Sequence, residues 1–580
     1  MRPGGSRART QVRRVEKRWL FPEAVPSQVE ADLGSYGAIK RQLLFSRGLT
    51  ESRAAGEFLE GRGANPHDPG SMAGMAAAVE RIQEAESRGE QVVVYGDYDA
   101  DGVTATALLV TVLRQLGIHA DGFIPNRFDE GYGLHAEALR TLRADGAALV
   151  VTVDCGIRSV AEAALARQLG MDLIVTDHHQ PGARLPEACA ILCPRREGDG
   201  YPFKGLAGVG IAYKLTEALC LEAGTALPED ALQLFAVGTV ADLAPLVDEN
   251  RTLVALGLQS LNQFDGATPG QRPGLGCLIR AAGTSPGRVD AGSVAFGLAP
   301  RLNAAGRLET ADIAFRLLLS EDRSEADALA GMLNDANRKR QALMRAAVGR
   351  ARELVSAHGE SDLYFVVDPQ TSEGVVGLVA SRLVEELHRP VIVGTEKDEH
   401  IRASARSIPE FHVTAALDMC SDLLVQYGGH AMAAGFTIRR ANAEAVAGRL
   451  REQARTALAG KHLQPALQLD AVVGIDDVGS ELLRFVERFE PCGYANPRPM
   501  LALRDVAVLE ARRVGSEGSH LRLRLGEGRR QREAIAFRLG HLAEQLPGRV
   551  DVAFHSERNT YQGVETLQLN VQAIRAAEAQ

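Results

Sequence analysis

Cysteine is scarce and scattered in this 580-residue chain: seven residues, at positions 155, 189, 193, 220, 277, 420 and 492, an odd number with no C-x-x-C pair. That excludes a disulfide framework and a zinc knuckle, and leaves the thiols as small core residues. Long apolar runs are missing too. None approaches the roughly 18 to 20 residues that cross a bilayer, and the first residues lack the apolar stretch of a secretion signal, so a cytoplasmic protein without membrane contact is expected. No G-x-x-x-x-G-K-[ST] loop is present, so ATP is not expected to drive the reaction. An excess of positive charge is also lacking. The formal net charge is −9, which argues against a uniformly basic nucleic-acid binder while leaving room for local basic grooves. Aromatics make up only 5% of the chain, so phosphate contact is a better expectation than extensive base stacking.

What is present is the balance of a globular protein, 45% hydrophobic and 24% charged, long enough for three or four domains at about 100 to 200 residues each. Residues 1–39 open with Arg2, Arg7, Arg9, Arg13, Arg14, Lys17 and Arg18 against Glu16 alone, and read as a basic, solvated tail. From about residue 76, apolar strands alternate with amphipathic helices: Val92 to Tyr95, 103–116, Gly122 to Ile124, 135–144, Ala148 to Val153, 159–169 and Asp172 to Thr176. That alternation implies a parallel sheet covered by helices, in a domain expected over 40–323. Residues 324–356 are rich in helix formers and free of proline, and predict a long connecting helix. A second α/β block over 357–462 has strands at Leu363 to Val367 and Val391 to Gly394, a helix at 375–387, and the glycine-rich stretch QYGGHAMAAGF. Residues 463–580 turn to short strands, as in HLRLRLGEG, and predict a small OB-like β-barrel. The fold class is α/β: two α/β lobes joined by a long helix, plus a C-terminal barrel.

The chemistry gathers at strand ends. Val92 to Tyr95 runs into Gly96-Asp97-Tyr98-Asp99-Ala100-Asp101-Gly102, setting three carboxylates just past a C-terminal sheet edge, where open α/β sheets bind ligands. The segment matches the first half of a calcium EF-hand loop, but position twelve would be Leu108 and a strand leads in, so that reading fails. The bland alternative is a polar turn with capping aspartates. A second strand ends in Asp154-Cys155-Gly156 and a third in Asp177-His178-His179, while Asp242 follows an apolar helix in GTVADLAPL. Acids this close repel unless a cation neutralises them. An oxygen-rich set with one or two imidazoles suits Mn²⁺ or Mg²⁺ better than structural zinc, and two such ions roughly 3.5 to 4 Å apart can clamp a phosphoryl centre. The expected chemistry is phosphoester hydrolysis. Gly208-Val209-Gly210 opens a helix and could cradle a phosphate, although a plain helix start reads equally well.

At these residues the sequence resembles the DHH phosphoesterase superfamily, and within it the RecJ-type single-strand-specific DNA exonucleases. The resemblance rests on ten blocks in order: VVVYGDYDADGVTATALL, IPNRFDEGYGLH, VVTVDCGI, IVTDHHQPG, LAGVGIAYKL, GTVADLAPL, GLAPRLNAAGRL, GVVGLVASRLVEELHRPVIV, ARSIPEFH and YGGHAMAAGFTI. It implies a DHH catalytic domain, a DHHA1-type substrate-binding domain and an OB-like module. It implies that Asp97, Asp99, Asp101, Asp154, His178 and Asp242 are metal ligands, with Asp154 bridging two ions and His179 contacting the scissile phosphate. Arg307, Gly429 and His430 would touch the substrate backbone, and Ser404 and Arg406 would hold a 5′-terminal phosphate, which a guanidinium fork can grip by two oxygens. Two departures bear on that pocket: Ser372 stands where many relatives have histidine, and Ala405 where a glycine is usual. Arg522 and Arg524 alternate in HLRLRL so that both lie on one strand face, suited to a single-strand backbone.

The implied activity is 5′-to-3′ hydrolysis of single-stranded DNA to mononucleotides in recombination and repair, by a monomer, with a helicase and a single-strand-binding protein as candidate partners. Two alternatives stand beside it. One is a phosphodiesterase of the same superfamily acting on short oligoribonucleotides or cyclic dinucleotides, against which the added barrel weighs. The other is a non-catalytic replication scaffold of the same fold, against which the complete ligand set weighs.

Overall fold

The computed structural model describes residues 17–61, 65–126, 133–263, 272–308, 310–561 and 564–577. The arginines at positions 2, 7, 9, 13 and 14, and the middle of the IPNRFDEGYGLH block, lie outside the described residues. The chain forms two compact units: one comprises residues 21–335 and 468–580, the other residues 1–20 and 336–467.

In the larger unit, Gln91–Tyr95, Ala120–Phe123, Ala147–Val153, Asp172–Thr176 and Ala190–Leu192 form a five-stranded sheet. Every neighbouring pair is parallel, and Gln91–Tyr95 lies between Ala120–Phe123 and Ala147–Val153. Val92, Val93, Val94 and Tyr95 are all buried, as a strand covered by helices on both faces requires. Helices Ala100–Gln115, Gly208–Ala223 and Ala231–Ala241 are apolar on nearly every side and so pack inside the unit's largest core cluster. Their N-terminal and C-terminal ends, not their faces, are what reach the sheet edge.

The same unit holds a closed barrel. Leu501–Val514, His520–Glu527, Arg530–Ala536, Val564–Ala576 and Arg549–Tyr561 pair in that order, and Arg549–Tyr561 returns to Leu501–Val514. Leu521, Leu523 and Leu525 point inward while Arg522 and Arg524 are exposed, the period-two pattern read from HLRLRL.

The expected division into a tail over 1–39 and a catalytic domain from 40 is corrected here. Helices Ser27–Asp32, Ala38–Phe45 and Ser52–Leu59 send Val29, Leu33, Leu43, Leu44 and Leu59 into the barrel's core beside Leu482, Phe485 and Leu503. Burying each such aliphatic side chain contributes about 1.5–3 kcal/mol. The bonds that fix the docking are equally long-range: Lys40 pairs with Glu481 at 2.5 Å, and Arg47 with Asp470. Local periodicity shows that a helix has an apolar face but cannot say what covers it.

The smaller unit is built on a sheet ordered Leu424–Gly429, Ala433–Arg439, His400–Arg406, Val391–Lys397, Tyr364–Val367, antiparallel except for the last pair. Helices Val376–Leu387 and Ala443–Leu458 cover it. The glycine-rich stretch proves to be a β-hairpin. A single 36-residue helix, Arg323–His358, carries the chain from one unit to the other.

Candidate active site

Seven of the predicted residues meet at the C-terminal edge of the parallel sheet. Asp97, Asp99 and Asp101 leave Gln91–Tyr95, Asp154 leaves Ala147–Val153, and His178 and His179 leave Asp172–Thr176. Asp242 arrives from the end of helix Ala231–Ala241. Their ligand atoms fall into overlapping groups, each within 4.8 Å: Asp97, Asp99 and Asp154; Asp101, His178 and Asp242; and Asp154, His178 and His179. Asp154 and His178 thus join the first two groups, with His178 Nε2 and Asp154 Oδ1 3.1 Å apart. His178 Nδ1 is 3.7 Å from Asp242 Oδ2.

Backbone geometry explains how the chain holds this arrangement. Asp154 adopts φ of 62°, a left-handed conformation that aspartate tolerates better than most residues, and this turns its carboxyl back over the sheet edge. Asp99 is also a capping aspartate, as the bland reading had it: its Oδ1 accepts from Asp101 N and Gly102 N at 2.9 and 3.2 Å. Asp101 takes the N-terminus of a different helix, accepting from Gly208 N and Val209 N at 2.7 and 2.8 Å. Those amides therefore serve a protein carboxylate, which corrects the phosphate-cradle reading of Gly208-Val209-Gly210. A Cβ at Gly208 would lie 2.5 Å from Asp154 Cβ, so glycine there lets two acids approach one helix end.

Sequence reasoning passed over two supporting residues. Asp177 is fully buried and accepts from Ile157 N, His179 N and His179 Nδ1, the last at 2.7 Å. Burial would raise its pKa, yet the bonds to His179 and the amides hold it below the usual carboxylate range. It fixes the His179 ring as the carboxylate behind a ligating or acting histidine does. Asn303 Oδ1 accepts from Ala100 N at 2.7 Å, pinning the aspartate loop. No local signal marks Asn303; Asp177 could have been found from its place directly before the imidazoles.

The electrostatics state what the site needs. Burial first, then Asp101, Asp99, Asp97 and Asp242, push Asp154 well above the carboxylate range. Burial, Asp101 and Asp99 raise Asp242 to about 9, and burial with Asp99 raises Asp101 to about 7. His178 is driven down to about 3, by burial and then by His179. His179 is raised: burial opposes protonation, but the bond to Asp177 and the negative charges of Asp177, Asp101 and Asp99 together outweigh it. Carboxylates that cannot all ionise together, beside a neutral imidazole whose buried Nε2 has no hydrogen-bond partner, make a donor set that hard divalent cations fit.

The predicted substrate contacts lie in three places. Arg307 occupies the last turn of helix Ala299–Leu308, and a Cβ on the preceding Gly306 would lie 2.7 Å from Tyr98 O, so this turn sits against the aspartate loop. In the smaller unit, Arg406 Nη1 donates to Ser404 Oγ at 2.8 Å. A Cβ at Gly377, in the first turn of Val376–Leu387, would be 3.1 Å from both Arg406 Nη2 and Ser404 Oγ. Ala433 faces Arg406 across the sheet and receives a bond from His430 N at 2.8 Å, which brings His430 and Gly429 to the same end. On the barrel, Arg522 pairs with Glu533 at 3.0 Å and Arg524 with Glu510 at 3.2 Å.

Comparison with known proteins agrees with this architecture. Family models match at residues 91–239 (DHH family, N-terminal domain), 359–456 (DHHA1 domain) and 469–573 (RecJ OB domain), which makes the class a DHH-type metal-dependent phosphoesterase. A single-stranded-DNA-specific exonuclease RecJ of Bacillus subtilis is 39% identical over 543 residues, covering 93% of this chain and 68% of that protein. Its Escherichia coli counterpart is 34% identical over 563 residues, covering 92% and 95%. RecJ of Thermus thermophilus, solved in complex with Mn²⁺, superposes with a TM-score of 0.83 at 33% identity, covering 97% of this chain and 80% of that one. A second structure of that protein, with Mg²⁺, gives 0.77 at 31% identity, covering 97% and 79%. The chain belongs to the RecJ family.

Proposed function

We propose that this chain is a single-stranded-DNA exonuclease that hydrolyses its substrate from the 5′ end and releases mononucleotides, in recombination and repair. The observation that carries the reading is the pair of ligand groups joined through Asp154 and His178, in a chain whose RecJ relatives are single-stranded-DNA-specific exonucleases. Asp97, Asp99 and Asp154 would hold one Mn²⁺ or Mg²⁺, and Asp101, His178 and Asp242 the other. When bound, the cations supply Lewis-acid stabilisation of charge on the phosphoryl oxygens and lower the pKa of water.

The protein's own groups do the rest. Asp177 keeps His179 oriented and favours its protonated form, and His179 would offer an N–H to the scissile phosphate. Arg307, against the aspartate loop, would contact the strand as it enters. Ser404 and Arg406, on strand His400–Arg406 beside the first turn of Val376–Leu387, would receive a terminal phosphate, with charge-assisted bonds from the guanidinium. His430 and Gly429 would touch the substrate backbone. Among the described residues no helix is long and apolar enough to cross a membrane. A cytoplasmic location belongs to this reading. A helicase and a single-strand-binding protein are the partners this role calls for, and a monomer suffices for it.

Incubating the protein with end-labelled single-stranded DNA, duplex DNA and RNA, while titrating Mn²⁺ and Mg²⁺, tests the whole reading. The expected result is mononucleotides released from the 5′ end of single-stranded DNA alone. Preference for di- or short oligoribonucleotides would overturn the substrate, and release from the 3′ end would overturn the polarity.

A further inference from the structure

The strand after the Asp-His-His strand delivers a charge of the opposite sign to the same edge. Ala190–Leu192 pairs in parallel with Asp172–Thr176, Leu192 facing Thr176. The two strand ends stay together beyond that pair: Asp177 N donates to Leu192 O at 3.0 Å, and Cys193 Sγ lies 3.7 Å from His179 O. Pro194 is buried, and Arg195 is then exposed. Its Nε donates to Lys204 O at 3.3 Å, which steadies the guanidinium from behind.

Three cations occupy this turn, and only one lacks an anion. Arg196 and Lys204 share the buried carboxylate of Asp199, at 3.7 and 3.6 Å. Among the described residues Arg195 forms no ion pair, although its charge bears on both His178 and Asp242. A surface arginine ordinarily finds solvent or a nearby acid. This one stands at the edge of a centre crowded with carboxylates and, among the described residues, pairs with none of them.

We propose that Arg195 is a catalytic residue, whose guanidinium binds the non-bridging oxygens of the scissile phosphate. The proposal rests on the phosphodiester-hydrolysis reading above. In that reaction an oxygen–phosphorus bond forms from water, which gives up a proton. The bond from phosphorus to the released nucleotide's O3′ breaks, O3′ takes a proton, and the shortened strand keeps a 5′-phosphate. Negative charge on the non-bridging oxygens is greatest midway, and a planar fork can engage two of them at once.

The test compares Arg195→Ala, Arg195→Lys and, as a neighbouring control, Arg196→Gln, in the full chain on single-stranded DNA with saturating Mn²⁺. Arg195→Ala should lower kcat by about 100-fold, in line with removal of one donor to a developing oxyanion. Arg195→Lys should recover part of that loss, and Arg196→Gln should stay within about twofold of the parent. Mn²⁺ affinity, measured by calorimetry, and melting temperature should not weaken in Arg195→Ala. Retention of kcat within about threefold, no recovery by lysine, or a parallel loss of Mn²⁺ affinity would each overturn the assignment. If the parent chain itself fails to cleave single-stranded DNA, the reading of function falls, whatever the variants do.

Discussion

The aspartate edge and the barrel face are both charge clusters, and they are built in opposite ways. At the sheet edge, burial first and then the mutual repulsion of Asp97, Asp99, Asp101, Asp154 and Asp242 raise three of their pKa values, and what they await is a cation from outside. On the barrel, Arg522 and Arg524 each already face a glutamate. Burial decides the difference: Asp101 and Asp154 are buried while the barrel pairs are about half exposed, and an exposed pair is worth only about 0–1 kcal/mol. Uncompensated buried charge marks a ligand site, whereas compensated surface charge marks a face that DNA must compete for.

The harshest test of that contrast is Asp154→Ala. Removing the residue that joins the two ligand groups should cut hydrolysis by about 10³-fold or more, while circular dichroism and most DNA affinity persist, because phosphate contacts, not metal ligands, hold the strand. Near-parent turnover would sink the metal assignment.

Next in size is Arg406→Ala, which should weaken use of 5′-phosphorylated ends by about tenfold or more over 5′-hydroxyl ends, the effect of one bond to a charged group. Equal losses on both substrates would put Arg406 outside the terminal pocket, and Ala405 and Ser372 are the departures that would then matter.

The pH response separates the two clusters directly. Asp101 and Asp242, raised to about 7 and about 9, and Asp154, also raised, hold protons in the metal-free fold that the unfolded chain releases near pH 4. The folded state then binds more protons, so the metal-free protein loses stability as pH rises from about 4 toward 9. Mn²⁺ removes that penalty by replacing the protons, and its stabilisation should grow with pH. Melting curves with chelator and with Mn²⁺ between pH 6 and 9 should diverge, and parallel curves would show that the acids are not the ligands.

The smallest effect belongs to the barrel. Arg522→Gln with Arg524→Gln should lower affinity for a long single strand by a few-fold. If both arginines leave their glutamates to bind phosphates, the slope of log K in log salt should flatten by up to about 1.4, twice the roughly 0.7 expected per contact. An unchanged slope would keep them as internal pairs and sharpen the contrast.

Much of the catalytic edge was legible because its signals are local. Val92 to Tyr95 is a run of strand formers, and each acid or imidazole of the site follows directly on an apolar segment. The hairpin of Leu424–Gly429 and Ala433–Arg439 was not legible: the first strand is exposed along nearly its whole length, so no alternation survives to reveal it. Strand His400–Arg406 does alternate, but it buries two alanines and an isoleucine, too weak a pattern beside its two arginines. Ala190–Leu192 has three residues, and with it Arg195 went unnoticed. The partnership of the first three helices with the barrel leaves no trace in any window of sequence.

That partnership governs how the chain is made. Lys40 and its partner Glu481 are separated by 441 residues, so at the usual synthesis rate of about 5–20 residues per second the first helices wait roughly 20–90 seconds for the surface that covers Leu43 and Leu44. From about a third of the way through that interval the catalytic sheet, whose strands follow one another within about a hundred residues, has all its parts in hand. The enzyme's chemistry can therefore be assembled on the ribosome before its opening segment has anywhere to go, and that segment is the stretch a nascent-chain chaperone would meet bare.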